Sequence, residues 1–336
     1  MLQRIALLTL IIACAVMAQP KKIVMVRVAP ERVAELRAVA PEANIVAPPA
    51  EDVAREVEDA DAVIGRLDPA LIPRAKKLQW LQVFSAGVER YLHLGGPALR
   101  DSDIVLTNGK IIQAPEIADH AFAMLLGLTR QLPVFLENKA RGQWIRGSNE
   151  GLTELRGRTA LVVGVGGIGT EVAVRAKAFG MEVIGVEPKD LPLAPYLDRV
   201  VLPDRIDVVL PEADVIFLCA PHTPESHKML GPGQFELMKR GAYFVAVSRG
   251  ALYDMDALVR ALDSKRLSGA GVDVTDPEPL PTGHALWEFP NVIITPHIAG
   301  RSDREWGRRM DLYKENLRRF LDGKPLRNVV DKQKGY

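Results

Sequence analysis

Arg249, Glu278 and His297 are the side chains whose types and order could reduce a carbonyl group. Arg249 follows the strand-like run 243–247. Glu278 lies in a proline-rich turn after 272–274, and His297 follows the apolar run 292–295. In an open parallel sheet, ligands gather beyond the carboxyl ends of the strands, so three residues placed there can converge. Hydride reduction of a 2-keto acid needs a cation for the carboxylate and carbonyl, an acid for the developing alkoxide, and a partner that orients the acid. A guanidinium fork matches a carboxylate, an imidazole cycles its proton near neutral pH, and a carboxylate at its other nitrogen favours the imidazolium. Singly, each residue has a plainer reading: Arg249 as a helix cap, Glu278 as a solvated turn residue, His297 as a hydrogen-bonded core residue.

A hydride carrier would need its own cradle. The segment 161–169 holds G-x-G-x-x-G at Gly164, Gly166 and Gly169, between an apolar strand and a helical pattern over 171–179. Without that context the glycines would be a bare turn; within it they match a dinucleotide site. The first glycine permits the tight turn, the second lets the backbone approach a pyrophosphate, and the third lets helix and strand pack closely. The helix N-terminus presents free N–H groups to the phosphates. Glu187 ends the next strand, where it can accept from ribose hydroxyls and repel a 2′-phosphate. NAD is therefore expected over NADP, although Lys189 stands nearby.

The elements that must position these groups read as alternating strands and helices. Apolar runs at 23–26, 45–46, 61–65, 80–84 and 104–107 form a first series. A helical stripe over 115–132, with Ile117, Ala121, Met124, Leu125 and Leu128, leads to a polar stretch over 137–157. A second series has strands at 160–163, 182–186, 215–218, 243–247, 270–274 and 292–295, followed by a helix over 303–321. The pattern predicts two α/β domains with parallel sheets. A chain of 336 residues with 48% hydrophobic content can build both cores. The formal net charge of +1 gives no pull toward nucleic acid. The two cysteines, Cys14 and Cys219, make no disulfide framework; Cys219 reads as a small buried apolar residue. The histidines show no metal-ligand spacing, so no metal is expected.

The N-terminus stands apart. Arg4, an apolar run over 5–18 and a small-residue exit at Val16 and Ala18 read as a signal peptide over 1–18. Residues 11–14 also resemble a lipid-attachment box ending at Cys14. The expectation is export, periplasmic or lipid-anchored through Cys14, with no membrane span after leader removal. A cytoplasmic location follows if the leader is not a functional signal. Export sits awkwardly with a soluble nicotinamide cofactor that cells keep inside.

The order and register of four motifs resemble the D-isomer-specific 2-hydroxyacid dehydrogenase family: APHTPE at 220–225, SRGAL at 248–252, DVTDPEP at 273–279 and TPHIAG at 295–300. The ending NLRRF at 316–320 with NVVD at 328–331 fits as well, and the likeness covers 21–331. It implies a Rossmann cofactor domain, 115–297, inserted in a flavodoxin-like substrate domain formed by 21–114 plus 298–331. Both would be doubly wound parallel-sheet domains, with the site in the cleft between them. It implies that Arg249 binds substrate, Glu278 assists and His297 is the acid/base. Ser85, Ala86 and Gly87 would offer backbone N–H groups to the substrate carboxylate, beside Arg249 and His297. Besides the glycine turn and Glu187, the cofactor would meet Gly167, Ile168, Ala220, Pro221, Thr223, Val247, Ser248, Arg249, Asp273, His297 and Gly300.

Ala246 departs from the family pattern, where many relatives carry Asn, and is expected to loosen local hydrogen bonding. The resemblance also implies a homodimer contact on the 115–132 helix; packing within one chain is the other reading of that stripe. Arg301, Arg304, Arg308 and Arg309 read as a solvated or interdomain face rather than an anion site. Arg66 reads as a surface residue, with a second substrate anion as its alternative. Trp144, Tyr91 and Trp287 fit either a pocket or an interface. The expected function is NAD-dependent interconversion of a 2-keto acid and a D-2-hydroxy acid. The contrasting reading is a non-catalytic NAD(H)-sensing interaction module of the same fold. The substrate's side chain stays open.

Overall fold

Strands buried on both faces read as continuous apolar runs, and the runs of this chain lie in two all-parallel sheets. The computed structural model describes residues 19–93, 97–147, 150–189, 191 and 194–336. The leader expected at 1–18, with Cys14, lies outside the described residues. Among the described residues, no helix is long and apolar enough to cross a membrane.

The first sheet contains β1 (Lys22–Val26), β2 (Asn44–Val46), β3 (Ala62–Gly65), β4 (Trp80–Gln82) and β5 (Val105–Thr107) in the order β2-β1-β3-β4-β5. This is the flavodoxin-like order. The second contains β6 (Thr159–Val163), β7 (Glu182–Val186), β8 (Arg199–Val201), β9 (Val215–Leu218), β10 (Ala242–Ala246), β11 (Leu267–Val272) and β12 (Val292–Ile294). Its order, β12-β11-β10-β9-β6-β7-β8, is the dinucleotide-binding arrangement extended by one strand. Val163 at the end of β6 pairs with Val186 of β7 on one side and Leu218 of β9 on the other. The strand order reverses there, which places the glycine turn at the topological switch point.

The helix Ala114–Thr129 packs against the second sheet, burying Ala118, Ala121, Met124, Leu125 and Leu128 with Val162, Phe217 and Val245. The stripe is thus used within the chain. The helical pattern breaks at Gln131, whose φ of 54° is left-handed, and a new helix, Leu132–Ala140, starts with proline in its first turn. The sequence pattern does not announce that helix; it overlaps the stretch read as polar only at 137–140, and its Leu132, Val134 and Leu136 are exposed.

The helix Glu305–Leu321 returns to the first sheet. Its Met310, Tyr313 and Leu317 join Ile23, Met25, Leu36 and Trp80 in one core. A buried polar network fixes the docking. Trp80 Nε1 donates to Thr107 Oγ1 (2.7 Å), Thr107 Oγ1 donates to Gln82 Oε1 (2.8 Å), and Asn316 Nδ2 donates to the same oxygen (3.0 Å). Asn316 Oδ1 accepts from the Arg327 N–H at 2.7 Å, so one amide ties helix, sheet and the returning chain. Asn316→Ala leaves Gln82 Oε1 with Thr107 alone and takes the side-chain partner from the Arg327 N–H and carbonyl oxygen. It should cost about 1–3 kcal/mol per unsatisfied group, read as a lower denaturant midpoint at unchanged slope; an unchanged midpoint would show the network to be dispensable.

Candidate active site

A cavity of about 810 Å³ opens between the two sheets, within the range of about 300–1,000 Å³ typical of ligand sites. One wall is the glycine turn. Gly164 has a φ of +89°, and a Cβ there would lie 2.5 Å from Ala220 Cα. At Gly169 a Cβ would lie 1.9 Å from the Gly164 carbonyl oxygen, while nothing stands within 4 Å of one at Gly166. The open side and the N-terminus of the helix Gly167–Ala178 form a cradle that fits a dinucleotide pyrophosphate. Glu187 is buried at the end of β7, where its Oε2 accepts from the Val165 N–H at 3.0 Å. The same carboxylate therefore braces the turn and faces the cavity. Cys219 lines the wall as well; burial pushes its thiol up to about 12, so it is an inert apolar residue there.

His297 is carried by a turn that Asp273 holds. The buried Asp273 Oδ1 accepts from the Ile298 N–H (2.9 Å) and from Thr295 Oγ1 (2.6 Å), and its Oδ2 from the Ala299 N–H (3.0 Å). Because the Thr295 hydroxyl donates to Asp273, His120 Nε2, 2.9 Å from it, must be the donor in their contact. This shell holds His297 at a φ of 52°, a left-handed conformation uncommon outside glycine. His297 Nδ1 lies 2.9 Å from Glu278 Oε2, and Glu278 Oε1 accepts from the Thr275 N–H at 3.1 Å. Burial raises the Glu278 carboxyl, but the bond and charge of His297, the Thr275 N–H and the charge of Arg249 outweigh it and hold the group below the usual carboxylate range.

Arg249 reaches across to the first domain. Its Nε donates to Glu89 Oε1 at 2.7 Å and its Nη1 to the Ser248 carbonyl oxygen at 2.7 Å. Burial pushes the Glu89 carboxyl up; the charge and hydrogen bond of Arg249 more than reverse that shift. The guanidinium lies so close to the Ser85–Ala86–Gly87 turn that a Cβ on Gly87 would sit 2.0 Å from Nη2.

Among the expected residues, Ser85, Ala86, Gly87, Gly164, Gly166, Gly167, Ile168, Glu187, Ala220, Pro221, Thr223, Val247, Ser248, Arg249, Asp273, His297 and Gly300 line this one cavity. Gly169 and Glu278 stand behind the lining, packing the turn and holding the imidazole. Ala246 is fully buried in β10 and its carbonyl accepts from the Asp273 N–H at 2.9 Å, so the backbone ladder beneath the site is intact. Arg66 and Trp144 are exposed, and Tyr91 is buried with its hydroxyl donating to the Leu67 carbonyl oxygen.

Sequence reasoning missed Glu89, which lies two residues beyond the expected Ser85–Gly87 turn and declares itself only through Arg249. It also missed Gln333, Lys334 and Tyr336, which bring the end of the described chain to the cavity. Lys332 Nζ anchors that segment on the carbonyl oxygens of Leu99, Ser102 and Ile104, and the Tyr336 ring lies 4.6 Å from Lys189 Nζ, beside Glu187. No group of His, Cys, Asp and Glu that could hold a metal occurs among the described residues.

The two sheets and their shared cavity define a two-domain α/β protein with a dinucleotide cradle facing an Arg–His–Glu set. A family model described as D-isomer specific 2-hydroxyacid dehydrogenase, NAD binding domain, matches residues 122–299, and the chain belongs to this family. The chain is 31% identical over 298 residues to a glyoxylate reductase of Korarchaeum cryptofilum, covering 85% of this chain and 88% of the relative. It is 33% identical over 286 residues to a D-3-phosphoglycerate dehydrogenase of Archaeoglobus fulgidus, covering 84% of this chain and 53% of that one. The chain thus spans about half the length of the D-3-phosphoglycerate dehydrogenases it matches. A solved D-isomer specific 2-hydroxyacid dehydrogenase family protein from Aeromonas salmonicida superposes with a TM-score of 0.80 at 31% identity, covering 94% of this chain and all of the other.

Glu89 is a positioning residue for Arg249. Glu89→Ala removes the carboxylate that fixes the Nε edge, so the KM for a keto acid should rise about tenfold, the effect of about 1.4 kcal/mol of lost orientation. Glu89→Gln, which keeps an acceptor, should recover part of it, and NADH affinity should stay as in wild type. Steady-state kinetics with NADH titration test this; an unchanged or lower KM in the alanine variant would sink the assignment.

Proposed function

We propose that this chain catalyses the nicotinamide-dependent interconversion of a short 2-keto acid and its D-2-hydroxy acid. The observation that carries the reading is the His297–Glu278 pair, 2.9 Å apart, at a cavity that Arg249 and a dinucleotide cradle also line. Family membership supports it, as do relatives named for glyoxylate reduction and for D-3-phosphoglycerate oxidation.

NAD, when bound in the cradle, supplies or accepts the hydride at C2 of the substrate. Arg249 and the backbone N–H groups of the Ser85–Gly87 turn take the carboxylate; the remaining guanidinium donors polarise the carbonyl. Nε2 of His297 gives its proton to the carbonyl oxygen in reduction and takes it back in oxidation. Nδ1–H stays on Glu278, which fixes the ring and its tautomer. Docking of the two domains keeps water from the reacting carbon. Glu187 disfavours a 2′-phosphate at the ribose end, so NADH should be preferred to NADPH.

Two further proposals concern the molecule around the site. The exposed Leu132, Val134, Leu136, Trp144 and Ile145 offer an apolar surface for a homodimer, and the apolar run over 5–18 behind Arg4 supports a leader and export. Sedimentation of the purified protein and N-terminal sequencing from the native host test them; a monomer at micromolar concentration, or an intact N-terminus in the cytosol, would reject each in turn.

His297→Ala should lower kcat by about 10²–10⁴-fold, the usual contribution of a general acid, while leaving NADH binding intact. Glu278→Gln removes the carboxylate that holds ring Nδ1, so kcat should fall while NADH affinity stays as in wild type. Near-wild-type turnover in His297→Ala would assign the acid elsewhere. If the wild-type protein binds NADH and reduces no keto acid, the NAD(H)-sensing module becomes the better reading.

A further inference from the structure

Arg309 projects from the helix Glu305–Leu321 into the same cavity, although its neighbours Arg304 and Arg308 do not line it. Its side chain is only 7% exposed. Arg308, by contrast, is satisfied at the domain boundary, donating from Nε to the Ile112 carbonyl oxygen at 2.7 Å and pairing with Glu116. The Arg309 guanidinium sits between the rings of Phe84 and Trp306, 5.4 and 4.9 Å from their centroids. These contacts orient it but give its Nε no acceptor, although the Tyr313 hydroxyl lies close to the guanidinium. Its Nε has no hydrogen-bond partner, and neither has the hydroxyl of Tyr313, one helical turn away. The carboxylate of Glu305 is 3.6 Å from Nη2, beyond hydrogen-bond reach, and already accepts from Gln113 Nε2 at 3.0 Å. The buried guanidinium is thus only partly paired, by a loose ion pair with Glu305, and its unmet Nε donor is costly unless a further acceptor completes it.

We propose that Arg309 forms a second anion subsite in the substrate cavity, selecting 2-keto acids that carry a further carboxylate or phosphate on the side chain. This rests on the keto-acid reading above and deepens it. The turn Ser85–Gly87 and Arg249 hold the carboxylate next to the keto group; Phe84, immediately before that turn, carries Arg309 on its ring face. The far group of a dianionic substrate would therefore meet the incompletely paired Arg309 guanidinium. Arg301, on the same wall, adds a second positive charge. Planar donors in this arrangement suit carboxylate and phosphate alike.

The test compares substrates matched in chain length: 2-oxoglutarate with 2-oxopentanoate, oxaloacetate with 2-oxobutyrate, and 3-phosphohydroxypyruvate with hydroxypyruvate. Wild type should favour the dianion in at least one pair, and which pair it is tells carboxylate from phosphate. Arg309→Met keeps an apolar stem against Phe84 and Trp306 and removes the charge. It should lower the dianion-to-monoanion ratio of kcat/KM by about 10- to 100-fold, the value of a charge-assisted hydrogen bond; Arg309→Lys should restore part of the ratio. Calorimetric titration of the same pairs into the NADH-loaded wild type and Arg309→Met reads the subsite without turnover. No dianion preference in the wild type, or a ratio that Arg309→Met leaves unchanged in both kinetics and calorimetry, overturns the subsite. Failure to reduce any keto acid while the calorimetric preference persists would instead reject the proposed reaction and keep the subsite.

Discussion

The structure turns on one ion pair that crosses it. Arg249 leaves the second sheet, yet its carboxylate partner, Glu89, begins a short helix behind the first. The guanidinium can reach Glu89 only by passing over Gly87, where even a methyl group would collide with it. The turn that offers N–H groups and the cation that accompanies them are therefore brought to one place by domain docking. The rest of the molecule serves that docking. The Asn316 amide ties the last helix to the first sheet, and Arg308 clamps the last helix to Glu116 on the helix that covers the second.

Much of the fold was legible because its central strands are buried on both faces. Runs such as 160–163 and 215–218 have no polar alternation and mark themselves as parallel strands. What escaped was local or marginal. β8 has three residues at a sheet edge and opens on an exposed arginine, so it carries no run to read. The sequence pattern carries the long helix to 132, close to its break at Gln131, but the second helix, Leu132–Ala140, was missed because its apolar Leu132, Val134 and Leu136 form no buried stripe. Only the left-handed backbone shows that these no longer face the core.

The candidate site divides in the same way. His297, Glu278, Arg249 and the glycine turn follow strands, and strand ends in a parallel sheet are where ligands gather, so order along the chain was enough to propose their meeting. Glu89, Arg309 and the 333–336 segment follow no strand of the second sheet. Their meaning depends on which surfaces the first domain turns toward the cleft. Arg309 shows the limit most clearly: in a run with Arg304 and Arg308 it reads as one more solvated charge. Helical geometry separates the three, sending Arg308 to Glu116 and burying Arg309 against Phe84.

The two carboxylates that hold the reactive cations share one electrostatic logic. Glu89 and Glu278 are both taken partly out of water, which by itself would raise their pKa and weaken them as partners. In both, the adjacent cation and hydrogen bonds win, and the group stays ionised below its ordinary range. A carboxyl depressed in the folded state stabilises that state above its unfolded pKa and loses the contribution as pH falls through the folded value. Both carboxylates are thus ionised across neutral pH and lose their charge on the same acidic side. Glu89 joins the domains and Glu278 orients the imidazole, so the docking of the cleft and the orientation of its imidazole each depend on a carboxylate that is lost in acid.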